Sequence, residues 1–204
     1  MSSEQRLSTQ LWTPTILEET YNGNTNIDLR TKLFTEGKIF LDGEVTDAMA
    51  NNFVLEMMYL ANHAESVNLY INSPGGSVNA GLAIYDVLQA CCEKIEINFY
   101  CVGTAASMGA VLFAGGKKGH RFILPHSSVM IHEPLIAGGM GGSATTIKKT
   151  ADSILETKKI INEILAKHTG KTIKEINKAT EYDNFMNAEE AVAFGIADEI
   201  RNII

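Results

Sequence analysis

The sequence predicts an α/β fold, and three observations carry that expectation. Between residues 38 and 132, stretches of strand-like alternation take turns with stretches of helical spacing. Glycine-rich turn signals punctuate them, among them Asn72-Ser73-Pro74-Gly75-Gly76 and Gly115-Gly116. With 45% hydrophobic residues in 204, the chain can bury one sizeable core, and no internal repeat or linker divides it.

The elements follow in order. Residues 1–25 contain Pro14, Gly23 and several Asn and Thr, and read as an extended or mobile N-terminal arm in which Trp12, Ile16 and Leu17 are apolar enough to dock. Residues 26–204 read as one domain. Asp28 to Phe34 suits a short helix closed by Gly37, and Lys38 to Leu41 a short strand. Thr46 or Asp47 can cap a helix whose apolar face is Met49, Phe53, Met57 and Leu60. Val67, Leu69 and Ile71 alternate as a strand, and from Asn79 a helix presents Ala80, Ile84, Val87, Leu88 and Cys91. Ile95, Ile97, Phe99 and Cys101 alternate again and lead into a serine-bearing turn, after which Met108 to Ala114 is helical. Short strands are expected around Phe122 to Leu124 and Ser128 to His132. After Pro134 and the glycine run Gly138 to Gly142, the longest helix spans Ala144 to His168, with Ile147, Ala151, Ile154, Ile161 and Leu165 on one face and Gly170 as its stop. Its length suggests packing on another subunit. Two shorter helices follow, the second with Asn187 and Glu190 in capping-box spacing, and Ile196 to Ile200 suits a last strand.

A net charge of -7 argues against nucleic acid as the main partner, because phosphate binding needs a basic surface. The three cysteines, Cys91, Cys92 and Cys101, form neither a disulfide framework nor a metal-ligand spacing, and suit a reducing compartment. Residues 1–15 lack the basic-then-apolar pattern of a signal peptide, and no apolar run approaches a membrane span, so a cytoplasmic protein without a membrane partner is expected.

Chemistry centres on Gly103-Thr104-Ala105-Ala106-Ser107-Met108-Gly109-Ala110. A hydroxyl among small residues at a strand-to-helix turn is reachable, and the amides that follow point out of the new helix, which are two needs of acyl transfer. The pattern is a relative of the Gly-x-Ser-x-Gly elbow with Ala105 in the first glycine position. Of the five histidines, His63 and His168 lie near helix ends and suit solvated or dipole-facing roles, while His120 and His126 fall in short polar connections and are expected exposed. His132 ends an apolar strand at the sheet rim, where it can reach a serine delivered by the neighbouring strand. Its neighbour Glu133 should face the other way and is a poor orienting acid. Gly75-Gly76 ends a strand expected beside the serine strand, where a bare backbone amide can approach a substrate carbonyl. Gly138 to Gly142 is either a hinge or an edge for an extended peptide. Spacing does not choose the orienting acid among Asp152, Glu156, Glu181, Asp183 and Asp198.

Four stretches, Tyr70-Ile71-Asn72-Ser73-Pro74-Gly75-Gly76-Ser77, Ala105-Ala106-Ser107-Met108-Gly109-Ala110, Val129-Met130-Ile131-His132-Glu133-Pro134 and Asp183-Asn184-Phe185-Met186, resemble the proteolytic subunit of the Clp protease (ClpP). The likeness runs in order from about Ile39 to Ile200. It implies a crotonase-like fold with a protruding long-helix handle at about residues 138–170, and a serine endopeptidase. By that resemblance Ser107 is the nucleophile, His132 the general base and Asp183 the acid that orients it, with the backbone amides of Gly76 and Met108 forming the oxyanion hole. The resemblance further implies a homo-oligomer of two stacked heptameric rings, a tetradecamer enclosing the active sites. An ATP-driven (AAA+) Clp unfoldase would feed unfolded polypeptides into it for degradation to short peptides. ATP then belongs to the partner, and no cofactor or metal is expected in this chain.

Four features depart from the family's pattern, the N-terminal arm being one. The glycine run Gly138-Gly142 is longer and lacks the usual Gln-Gly element, Tyr182 stands where an arginine usually precedes the acid, and Asn68 replaces an aromatic of the unfoldase-docking pocket, although Tyr70, Phe122 and Leu124 remain. The alternative reading is therefore a weakly active or structural subunit of a mixed Clp assembly with a second ClpP paralogue. A crotonase-type acyl-CoA enzyme would share the fold but would not need the Ser-His pair, and no candidate for its catalytic acids stands out.

Overall fold

The alternation along the chain becomes helices against a mostly parallel sheet in the computed structural model, which describes residues 14–21, 23–135 and 141–202. Trp12 and the expected glycine-run residues Gly138 to Met140 lie outside the described residues.

Contacts divide the chain into two compact units, Met1–Lys38 and Ile39–Ile204. In the first, β1 (Thr15–Thr20) and β2 (Gly23–Asp28) pair antiparallel, with Ile16 opposite Ile27. The stretch expected to be an extended or mobile arm thus includes a hairpin. Helix α1 (Leu29–Thr35) follows, its first turn capped by the Asp28 carboxylate accepting from Thr31 N at 2.9 Å. Gly37, at φ 72°, closes it with N–H donating to Phe34 O.

The second unit opens with β3 (Lys38–Asp42) and α2 (Asp47–His63), which Thr46 caps and which buries Ala50, Phe53, Met57 and Leu60. Strand β4 (Ser66–Ser73) is followed by α3 (Val78–Cys92), capped by Ser77. Strand β5 (Glu96–Ala106) runs into α4 (Met108–Ala114), every residue of which is buried, as befits a helix apolar on all sides. Then come β6 (Arg121–Ile123), β7 (Ser128–Ile131) and the 26-residue α5 (Ala144–Thr169), stopped by Gly170 in the left-handed conformation. Helix α6 (Ile173–Ala179), β8 (Asn184–Met186), α7 (Ala188–Phe194) and β9 (Glu199–Ile200) complete it. The last strand is shorter than the expected Ile196 to Ile200, because Ile196 and Ala197 are spent bonding back to Ala191 O at the end of α7. Among the described residues no helix is long and apolar enough to cross a membrane.

One irregularity organises the sheet. The order is β3-β4-β5-β6-β9, with β7 paired to β5 and β8 paired to β7. Strand β5 serves two neighbours in turn. Its first half pairs with β6 at Phe99, Tyr100 and Cys101, and its last three residues pair with β7 at Thr104, Ala105 and Ala106. Between them the register against β4 jumps from Ile71↔Cys101 to Ser73↔Ala105. The bulge is pinned at Gly103, whose N–H donates to Ser127 Oγ at 2.8 Å, while Thr104 N donates to Asn72 Oδ1. Gly103 has φ 87°, and a Cβ there would stand 2.8 Å from Asn72 Oδ1. The bend turns the end of β5 out of the main sheet and toward the short strands β7 and β8.

Long α5 is anchored at one end only. Ile161, Asn162 and Leu165 are buried, whereas Ile147 and Leu155 on its N-terminal half stay exposed. On the sheet, Phe40, Tyr70, Tyr100 and Phe122 form a row of successive ring contacts. Beside them Asn68 is not an orphan: it lies opposite Asn98 in the ladder and accepts from Asn98 Nδ2 at 3.3 Å.

Candidate active site

Ser107 sits where β5 stops and α4 starts, at φ 52° and ψ -120°, alone among described non-glycine residues in having positive φ. That conformation costs of order 1–3 kcal/mol and persists only where its surroundings enforce it. They do so through close backbone approaches that small residues allow. A Cβ on Gly75 would lie 2.7 Å from both Ala106 O and Ser107 Cβ, and one on Gly81 would strike Met108 Cγ at 2.2 Å. Ser107 N donates to Met130 O at 2.8 Å, so the elbow is bonded to β7 as well. The small residues around Ser107 therefore serve packing against the Ser73–Gly75 turn and keep the hydroxyl accessible.

The same β7 ends in the histidine. His132 follows Ile131, and its Nε2 lies 2.8 Å from Ser107 Oγ. Its Nδ1 lies 3.1 Å from Asp183 Oδ1. Register explains the second contact. Strand β8 pairs antiparallel with β7, Ile131 opposite Asn184, so the residues just beyond that pair, His132 and Asp183, face each other. Asp183 itself lies in the connection just before β8, a three-residue strand too short to show a readable period. The imidazole is 15% exposed and the carboxylate 60% exposed, so one end of this chain of contacts is sheltered and the other is wet.

The other acids are elsewhere. Asp152 and Glu156 are on the exposed part of α5, Glu181 faces solvent, and Asp198 binds Arg121. Glu133, as expected, does not touch the imidazole; it pairs with Lys158 on α5. Two histidine expectations change. His168 is half-buried with Nε2 2.8 Å from Tyr85 Oη, and burial, aided by Lys167 and Arg121, pushes its pKa down to about 4. His120 is half-buried against Asn98 Oδ1, because β6 starts right after it and draws it onto the sheet. His126 is exposed, and His63 caps the C-terminal turn of α2 through Tyr59 O.

The two amides expected beside the serine come from the turn after β4 and the first residue of α4. Gly76 forms a parallel bridge with Val45, in which Val45 N donates to Gly75 O and Ser77 N donates to Val45 O. That pattern uses the flanking groups, and among the described residues the N–H groups of Gly76 and Met108 have no acceptor. A Cβ on Gly76 would fall 2.4 Å from Val45 O, so only glycine fits the bridge.

A small cleft, open to solvent, adjoins Ser107 and His132. Its apolar wall is Val78, Met108, Val111, Ile131, Ile161 and Leu165. The sequence marked most of these only as helix-face or strand residues; that α5 returns to line the cleft is a tertiary fact. The thiols Cys101 and Cys92 do not line this cleft, and burial pushes them up to about 12 and about 11. Among the described residues no group of three or more His, Cys, Asp or Glu side chains is arranged to hold a metal ion.

A mostly parallel α/β core with a serine on a strained strand-to-helix turn, a histidine in contact with it and an apolar cleft alongside defines a hydrolase-like arrangement. Comparison with known families supplies the closer assignment: the family model of Clp protease matches residues 21–203. The chain belongs to the Clp protease family, and is thus a peptidase of the Clp type with the ClpP-type fold.

Proposed function

We propose that this chain is the proteolytic subunit of an ATP-dependent Clp protease, a serine endopeptidase in which Ser107, His132 and Asp183 act as a triad. The observation that carries the reading is the continuous chain of contacts from Ser107 Oγ through both imidazole nitrogens to Asp183. An ionised carboxylate can only accept, so it holds the imidazole proton on Nδ1 and leaves Nε2 to accept from the Ser107 hydroxyl.

Chemistry then follows the balance of one proton. As Ser107 Oγ bonds to the scissile carbonyl carbon, its proton passes to His132 Nε2, and the carbonyl electrons move to an oxyanion held by the amides of Gly76 and Met108. When the tetrahedral intermediate collapses, the C–N bond breaks and His132 delivers that proton to the leaving amine. Water attacks the acyl-enzyme with His132 again accepting a proton, which returns to Ser107 Oγ as the acid product leaves. The apolar cleft beside the elbow favours an apolar side chain on the residue whose carbonyl is attacked. Nothing in these steps calls for a cofactor; ATP hydrolysis belongs to a partner AAA+ unfoldase. The exposed apolar side chains on the N-terminal half of α5 suit the ring assembly that family membership implies.

A fluorophosphonate probe with mass spectrometric mapping tests this. Labelling at Ser107, lost in Ser107→Ala, is expected. Absence of labelling in a ring confirmed as assembled by native mass spectrometry would sink the peptidase reading for the homo-oligomer and leave a structural ring subunit in its place.

A further inference from the structure

We infer that Glu133, through its ion pair with Lys158, is a positioning residue that holds His132 in line with Ser107 and makes that alignment depend on where α5 sits. The inference rests on the peptidase reading above and adds to it a control element outside the reacting groups.

His132 has weak local support of its own. Regular structure ends at Ile131, and His132 to Leu135 belong to neither strand nor helix. Upstream, the chain is held by the β7–β8 ladder and by Ser107 N donating to Met130 O. Downstream, Glu133 makes the anchoring contacts. Its N–H donates to Thr180 O at 2.8 Å, tying it to the segment that carries Asp183. Its carboxylate accepts from Lys158 Nζ, tying it to α5. Beyond it, Pro134 lines the cleft but has no N–H to offer, Leu135 is 73% exposed, and among the described residues the next hydrogen bond is the Ser143 cap of α5. One residue thus joins the histidine segment, the acid segment and the long helix.

Lys158 stands one helical turn before Ile161 and two before Leu165, so it shares a face with the residues that form the cleft wall. Those two are nearly fully buried and should stay put when a half-exposed ion pair is cut. The histidine segment should not. Removing the pair should therefore lower the fraction of molecules with His132 aligned and act on kcat, leaving substrate binding in the cleft largely intact.

The test compares Glu133→Gln, Lys158→Met and the reversed pair Glu133→Lys with Lys158→Glu, using a peptide substrate with an apolar residue before the scissile bond and the fluorophosphonate labelling rate. Each single variant is expected to lose about three- to fivefold in kcat and in labelling rate, as suits a partly exposed pair, with KM within about twofold. The reversed pair should recover most of the loss. At about 1 M salt, where screening acts within about 3 Å, wild type should fall toward the variants while the variants change little. Amide exchange across residues 129–135, read by mass spectrometry, should quicken in the single variants and return in the reversed pair, whether or not the protein is active. Unchanged kcat, labelling and exchange in both single variants overturn the inference; so does a matching fall in thermal stability without rescue by reversal, which marks a purely structural pair. If wild type is not labelled at Ser107 the peptidase reading fails separately, and the exchange measurement still decides whether Glu133 holds the His132 segment.

Discussion

Ser107, His132 and Asp183 are chemically unequal members of one hydrogen-bonded chain, and their environments set what each substitution should cost. Under the proposed mechanism Ser107→Ala and His132→Ala remove the groups that form bonds and move the proton, so kcat should drop by roughly 10⁶-fold, to a residue left by the proposed oxyanion donors. Asp183→Asn should cost less, roughly 10²–10³-fold, because its carboxylate is 60% exposed and water shares its task in a higher dielectric. Steady-state kinetics on one peptide would check the ranking; an Asp183→Asn loss equal to that of Ser107→Ala would contradict it. His168 offers a different residue-scale readout. Its folded pKa of about 4 lies below the ordinary value of 6.5, so the imidazole is neutral in both states above that value and contributes no pH dependence there. As pH falls from about 6.5 to about 4, the unfolded chain takes up a proton that the folded chain refuses, and stability falls. Thermal melts across that window should show a shallower decline for His168→Gln than for wild type.

At the scale of elements, the site depends on how β5, β7, β8 and α5 meet. The two-residue jump in register at Gly103 redirects β5, and the Ile131↔Asn184 pairing sets the acid opposite the histidine. Helix α5 closes the cleft with Ile161 and Leu165 while its N-terminal half extends unburied. Leu165→Ala should destabilise the fold by about 2–4 kcal/mol, since the side chain is 1% exposed and its loss leaves a void. It should also enlarge the cleft. KM should rise for substrates whose residue before the scissile bond is a medium-sized apolar one and fall back for a larger aromatic one. Denaturant melts and a small substrate series separate the two effects.

Across the whole molecule, Arg121 and Asp198 join segments that are far apart in sequence. The guanidinium, 2% exposed, donates to both carboxylate oxygens of Asp198 and to the carbonyls of Ala114 and His168. Asp198 also accepts from the backbone of Gly119 and Arg121, and although burial alone would raise its pKa, Arg121 and these donors hold it below the usual carboxylate range. The ends of α4 and α5, β6 and the C-terminal segment are thus fastened at one point. Asp198→Ala should cost about 3–5 kcal/mol because it strands a buried cation, and Arg121→Met combined with Asp198→Leu should recover part of that. Chemical denaturation reads both; equal stability of Asp198→Ala and wild type would contradict the account.

How much of this was legible in the sequence depends on the range of the interaction. Helix faces such as Phe53, Met57 and Leu60, the caps Thr46 and Asn187, the stop at Gly170 and the α/β alternation were all readable, because each rests on residues within a turn or two of one another. Ser107 could be picked out as an open hydroxyl at an elbow, and His132 as a histidine at a strand end. The hairpin at residues 15–28 and the strand at Asn184–Met186 were not readable, the first for want of a hydrophobic face and the second for want of length. Choosing Asp183 over four other acids required either a family resemblance or the strand register. By itself, then, the sequence determined the fold class and most of the order of elements and marked Ser107 and His132 as candidates, since those rest on local periodicity and turn chemistry. Tertiary structure alone decided that Gly75 packs on the elbow, that α5 returns to wall the cleft, that His168 is half-buried against Tyr85, and that Glu133 reaches Lys158. Those facts arise from contacts between segments 25 to 80 or so residues apart, which no local pattern encodes.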